Sequence, residues 1–145
     1  MFSITLFVTA SVYDLLYFGW KIHNNDALFY FGKMLIVIGF IIRIIGQVTL
    51  RKQFSFFVKI RKDHELITTG IYKYVRHPLY SAAFLALLGA VLVFNSWLGF
   101  AVVILLVVPT IFYRIKVEEK ALVQKFGKDY LDYKKRVKIL IPWIY

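Results

Sequence analysis

Apolar residues fall into four long runs, about Met1 to Trp20, Phe29 to Leu50, Leu79 to Phe94 and Trp97 to Tyr113, separated by short polar breaks. A bilayer core of roughly 30 Å takes about 20 helical residues at 1.5 Å each, so the runs predict four membrane-spanning helices, the third of them short. The connection "NSWLG" between the last two is tight enough to make them an antiparallel hairpin. After Tyr113 the pattern changes: Val117, Ala121, Leu122, Phe126, Tyr130 and Tyr133 recur at helical intervals with Lys and Asp between them. The segment from Lys116 to Tyr133 therefore predicts an amphipathic helix lying on the membrane surface, interrupted at Gly127. The expected fold class is an all-α integral membrane protein, one domain over residues 1–145, with four transmembrane helices plus this C-terminal amphipathic helix.

Composition tells which solvent these helices face. Hydrophobic residues make up 60% of the 145 and aromatic residues 19%, more apolar surface than a soluble domain of this size has interior to hide. A net charge of +11 would suggest nucleic acid in a soluble protein, but here Lys and Arg flank the apolar runs, so no nucleic-acid partner is expected. They also sort to one side. Arg51, Lys52, Lys59, Arg61, Lys62, Lys73 and Arg76 crowd the loop between the second and third runs, and most of the others follow Tyr113, whereas "KIHNND" and "NS" carry almost no charge. By the positive-inside rule the long loop and the tail face the cytoplasm, and with four spans both termini do. The first run lacks a basic n-region and a small-residue cleavage site and is read as a retained helix, not a secretory signal. Cysteine is absent and the three histidines are far apart in the chain, so neither a disulfide framework nor a metal site is expected.

Inside the second run glycine recurs at Gly32, Gly39 and Gly46, a stripe that lets a neighbouring helix approach closely. Arg43 and Gln47 fall on or beside it, which turns the arginine toward the bundle. Counted from the cytoplasmic ends, Asp14 and Lys33 reach one depth, roughly 20 to 25 Å up, and are expected to pair. Pro109 is expected to kink the fourth span near its cytoplasmic end.

Candidate chemistry gathers at that cytoplasmic side. His77 precedes Pro78, which suits the first position of a helix, so His77 falls at the N-cap. The N–H groups of Leu79, Tyr80 and Ser81 would then be open to a carboxylate or phosphate, with Arg76 adding positive field. Past the fourth span, Arg114 and Glu118 lie one turn apart, and of the adjacent Glu118 and Glu119 only one can face a given site. The blander alternative makes Arg76 and Tyr80 interface anchors, His77 a cap, and Arg114 with Glu118 a solvated surface pair. The hairpin brings both clusters to one membrane face, giving a site with a cationic and an anionic end. Such a site suits a zwitterionic amino acid head, with Tyr72, Tyr74 and Tyr80 available to face a cation or stack on a base. S-adenosylmethionine has all of those parts.

Two blocks, "HELITTGIYKYVRHPLY" from His64 to Tyr80 and "RIKVEEKALVQKFGKDYLDYKKRV" from Arg114 to Val137, followed by Pro142, give the C-terminal half a pattern that resembles the isoprenylcysteine carboxyl methyltransferase family, integral membrane enzymes related to phospholipid methyltransferases. The ordered combination of Gly-x-Tyr, Arg-His-Pro-x-Tyr and Glu-Glu-x-x-Leu-x-x-x-Phe-Gly-x-x-Tyr-x-x-Tyr carries the resemblance. It implies S-adenosyl-L-methionine as cofactor, in a cytosolic-face pocket built without a dinucleotide-binding fold. His64, Glu65, Leu66 and Ile67 would line the cofactor with Tyr72 beside them. His77, Pro78, Leu79 and Tyr80 would make the helix-end contacts, and Glu118 would hold the amino group. Arg114 would bind the substrate carboxylate, and Glu119 would support Glu118 or take its place. Ser81, Ala82 and Ala83 stand where the family often has a glycine. Eukaryotic members carry further N-terminal spans, so their prenyl-substrate groove is not transferred to the first two spans here.

The function expected is thus methylation of the carboxylate of a lipophilic, isoprenylcysteine-like acceptor entering from membrane lipid. A phospholipid-type N-methyltransferase or other lipid methyltransferase on the same scaffold is the alternative; with an amine acceptor Glu119 or His77 would serve as base. A small proton-coupled exporter built on Asp14 is a third, disfavoured because polar residues concentrate at one face and not at midmembrane.

Overall fold

The computed structural model describes residues 2–18, 22, 24–50 and 65–141. The loop cations from Arg51 to Lys62, along with His64 and Pro142, lie outside these residues. Helices α1 (Phe2–Tyr17), α2 (Asp26–Leu50) and α3 (Pro78–Phe94) are followed by α4 (Trp97–Val102), α5 (Val108–Phe126) and α6 (Lys128–Arg136), and a 3-10 turn at Gly70–Lys73 precedes α3. Among the described residues there is no strand, only one isolated parallel bridge between Val75 and Lys138.

The second helix starts earlier than the apolar run, because the Asn25 side chain accepts from the Ala27 N–H at 2.8 Å and caps a first turn containing Asp26. Its stripe of Gly32, Leu35, Gly39 and Gly46 is buried while Phe31, Met34, Val37, Phe40, Ile41, Ile44 and Val48 are exposed. A helix greasy on its outer face has lipid for a neighbour. The stripe packs on α3, so closely that a Cβ on Gly39 would stand 2.7 Å from the Ala82 carbonyl oxygen. By length and composition α2 and the stretch Trp97–Phe126 are each able to cross a membrane, and α3 is a shorter apolar helix.

That last stretch differs from expectation. No break separates a fourth span ending near Tyr113 from a surface helix beginning at Lys116; one helix continues to Phe126. The chain breaks at Gly127, at φ 54° and ψ −121°, and α6 follows as a separate helix. Ahead of Pro109, whose missing N–H interrupts the ladder, residues Val103–Val107 widen into a π turn, and the Thr110 hydroxyl donates to the Leu106 carbonyl at 2.6 Å.

The Asp14 to Lys33 pair is not formed. The α1 helix packs chiefly on α4, where Asp14 Oδ2 accepts from the Ser96 hydroxyl at 2.5 Å and the Leu98 N–H at 3.3 Å. Ser96 in turn caps α4 by accepting from the Gly99 N–H. A buried carboxylate finds better partners at the free donors of a helix start than in a distant ammonium. Lys33 instead lies over the Phe29 ring, 4.3 Å from its centroid. Two apolar clusters flank α3. One joins Val107, Ile111, Ile115 and Leu140 to Tyr80 and Phe84; the other joins Phe7, Val91 and Val103.

Candidate functional site

The N-terminus of α3 is held by the chain's tail. The Arg76 and His77 N–H groups donate to the Lys138 and Ile139 carbonyls at 2.8 and 3.1 Å, and the Ser81 hydroxyl donates to the Leu140 carbonyl at 2.6 Å. His77 occupies the N-cap and Pro78 the first turn, as the sequence predicts. The cradle of open N–H groups expected at Leu79, Tyr80 and Ser81 is smaller than that, since Tyr80 and Ser81 both donate to the His77 carbonyl at 3.1 Å. Pro78 and Leu79 turn their side chains toward Gly46 of α2, away from the charged groups.

The His77 ring makes no cap bond and points into a cluster of charge. Its Nε2 stands 3.5 Å from Glu119 Oε1 and its Nδ1 3.9 Å from Glu118 Oε2. Glu119 is buried, with Arg76 Nη2 at 3.3 Å from Oε1 and Lys134 Nζ donating to Oε2 at 2.6 Å. Burial by itself would raise this carboxyl, but the His77 ring beside it, the hydrogen bond from Lys134 and the charge of Arg76 outweigh it and hold the group down at about 2. Glu119 is therefore an ion-pair hub. Arg76 also donates through Nη1 to the Lys134 carbonyl at 3.3 Å.

Glu118, one residue earlier, faces outward beside the site, with its side chain 37% exposed. Its carboxylate lies against the phenols of Tyr72 and Tyr80, and Arg114 acts on Tyr80 from its own turn of α5. Burial, reinforced by Glu118, pushes the Tyr72 phenol well above its ordinary value, so it stays a neutral donor. Tyr72 is fixed from behind by the Tyr133 hydroxyl, which donates to its carbonyl at 2.6 Å. Burial raises Tyr133 to about 12 against the opposing pull of Arg76.

Among the described residues, Tyr72, His77, Tyr80, Arg114, Glu118 and Glu119 thus converge, from segments more than thirty residues apart in the chain. Glu65 is exposed and Leu66 and Ile67 half-buried on the irregular stretch leading to the 3-10 turn. Sequence reasoning missed Lys134 and the supporting roles of Tyr130 and Tyr133, and it took Arg76 for a field or an anchor. Nothing in the run "YKKRVK" distinguishes the lysine that turns inward. Arg76 Nε, His77 Nε2, Glu119 Oε1 and the Tyr130 hydroxyl are buried without a hydrogen-bond partner among the described residues. A partly open carboxylate ringed by neutral phenols and backed by cations is a donor set that fits an amino acid ammonium and its carboxylate.

The model of the isoprenylcysteine carboxyl methyltransferase (ICMT) family matches residues 32–124. A protein-S-isoprenylcysteine O-methyltransferase of Saccharomyces cerevisiae is 36% identical over 115 residues, covering 78% of this chain and 48% of that protein. One from Arabidopsis thaliana is 35% identical over 119 residues, 79% of this chain and 59% of its own length. A solved structure of the eukaryotic intramembrane Ras methyltransferase superposes with a TM-score of 0.75 at 25% identity, covering 99% of this chain and 52% of that one. The chain spans about half the length of these relatives.

Proposed function

This chain belongs to the isoprenylcysteine carboxyl methyltransferase family, and from that membership we propose that it is an integral membrane methyltransferase that uses S-adenosyl-L-methionine to esterify the carboxylate of a lipophilic, isoprenylcysteine-like acceptor. It crosses the membrane four times, with α6 lying along the cytosolic surface and the site and both termini on the cytoplasmic side. The observation that carries this reading is the meeting of Glu118, Tyr72, Tyr80 and His77 at the start of α3, with Arg114 one turn from Glu118.

When bound, the cofactor supplies a sulfonium methyl open to in-line displacement by an ionised carboxylate. Glu118 would hold the ammonium of the amino acid end, with Glu65, Leu66 and Ile67 lining the remainder beside Tyr72. His77 and Tyr80 would bound the site at the helix start with their side chains, Pro78 and Leu79 with their backbone alone. Arg114 binds the acceptor carboxylate as a charge-assisted pair and aims one of its oxygens at the reacting carbon. A carboxylate is ionised near pH 7, so no residue need act as base. The chain's part is alignment and exclusion of water, and lipid entry of the acceptor keeps the apolar portion in the bilayer.

An amine acceptor is the second reading, favoured by one feature: the buried His77 ring stands between the carboxylates of Glu118 and Glu119, a placement that suits a base. One assay separates the two. Purified protein is incubated with methyl-labelled cofactor and a lipid extract, and the product is treated with mild base. Release of the label identifies an ester; retention identifies a methylated amine and overturns the carboxylate reading.

A further inference from the structure

We propose that Lys134, on α6, is a positioning residue for the cofactor site, selecting the one of two arrangements of Glu119 that keeps the His77 ring between Glu119 and Glu118. The inference rests on the methyltransferase reading and deepens it.

Arg76 falls short of a full pairing with Glu119. A guanidinium and a carboxylate prefer two parallel hydrogen bonds, yet Arg76 meets Glu119 through Nη2 at 3.3 Å, and its Nε is buried without a hydrogen-bond partner among the described residues. The paired arrangement is within reach of a rotation about the last torsion of Glu119, which has a broad and shallow preference. What opposes it is Lys134, whose Nζ grips Oε2 at 2.6 Å. With Oε2 anchored, the planar carboxylate presents Oε1 to Arg76 Nη2 and to His77 Nε2 together. Release of that anchor lets both oxygens swing to the arginine fork. His77 then loses its inner partner, and the ring is free to turn away from Glu118.

The position of Lys134 is not that of an ordinary surface lysine. Lys135, its neighbour, pairs with Asp132 on the outside of α6 at 3.0 Å, and its side chain is 76% exposed. Lys134 reaches inward while its own carbonyl accepts from Arg76, so α6 holds both the hub carboxylate and the arginine that competes for it. The groups facing Glu119 are Arg76 and His77 from the segment before α3 and Lys134 and Tyr130 from α6, with Tyr133 acting beside Arg76 and Glu118 on the far side of the His77 ring. Of these, Lys134 alone is a cation contributed by α6.

The test is calorimetric titration of the full chain in detergent with S-adenosylhomocysteine, for wild type, Lys134→Met and Lys134→Arg, at several pH values from 7 to 5. Lys134→Met is expected to bind about tenfold more weakly at pH 7 with an unchanged number of sites per chain. Its deficit should hold steady from pH 7 to 5, because the carboxylate, taken up by the arginine fork, stays ionised across that range. Lys134→Arg, which restores the charge, is expected to stay within about threefold of wild type. Wild-type affinity in Lys134→Met overturns the proposal. So does a fall in the number of sites at unchanged affinity, which would make the lysine merely structural, and so does an arginine variant as weak as the methionine one. Absence of binding by wild type itself overturns the cofactor reading, and this inference with it.

Discussion

Glu118 and Glu119 are chain neighbours with opposite surroundings, and the difference assigns them different work. Glu118 stands partly open against two phenols, so its charge is available to a ligand ammonium; Glu119 is spent on Arg76, His77 and Lys134. Glu118→Gln is accordingly expected to weaken binding of S-adenosylhomocysteine by about tenfold or more, the loss of one charge-assisted hydrogen bond, measured by calorimetry. Arg114→Ala is expected to leave that affinity near wild type and to raise the KM for the acceptor. Glu119 should show itself through pH. Its folded carboxyl lies at about 2 against an ordinary 4.5, so the stabilisation it brings, about 3 kcal/mol, is fully present above pH ~4.5 and is lost as pH falls toward 2. Thermal unfolding of wild type and Glu119→Gln should differ by a constant amount from pH 7 down to about 4.5, and the two should draw together below it. A gap independent of pH down to 2.5 would contradict the ion-pair account.

At the scale of elements, α3 is the centre, with α2 on its glycine-matched face and α5 on the face carrying Tyr80 and Phe84. The α1 helix is fastened differently, through a carboxylate that caps the start of α4. In lipid a hydrocarbon contact between helices gains little over contact with acyl chains, so a buried polar clasp carries more of the docking than it would in water. Asp14→Ala is expected to cost about 2 kcal/mol, since the Ser96 hydroxyl and Leu98 N–H lose an acceptor where water is scarce. A double-mutant cycle on thermal stability should give a coupling of about 1 kcal/mol between Asp14 and Ser96 and additivity between Asp14 and Lys33. Coupling of Asp14 to Lys33 of the same size would contradict the contacts described.

For the whole molecule, the arrangement puts the end of α1 and the start of α2 beside the α3–α4 turn at one end and the charged site with α6 at the other. The chain contains no cysteine, so single introduced thiols report sidedness without background. Asn24→Cys and Trp97→Cys are expected to react with an impermeant maleimide from the outer side of sealed vesicles or spheroplasts. Lys73→Cys and Lys135→Cys should react only after the membrane is opened. Labelling of Asn24 and Lys135 from one side would overturn the proposed four-span topology.

The apolar runs, the glycine stripe at Gly32, Gly39 and Gly46, the proline at the start of α3 and the break at Gly127 were legible in the chain itself. Each rests on a local property: residues that prefer lipid, a missing Cβ, a fixed φ, a positive φ. The convergence of the His77 and Glu118 segments was legible as well, because a two-residue connection leaves adjacent spans little freedom but to return side by side. Partner choice among charges was not. Asp14 takes Ser96 and not Lys33, Lys134 turns inward while Lys135 does not, and Glu119 is the buried member of its pair, because electrostatic pairing depends on which helix faces flank one another and which donors a packed neighbour leaves free. Those are properties of the assembled bundle, decided only when the tail returns beside α3 and α1 settles on α4.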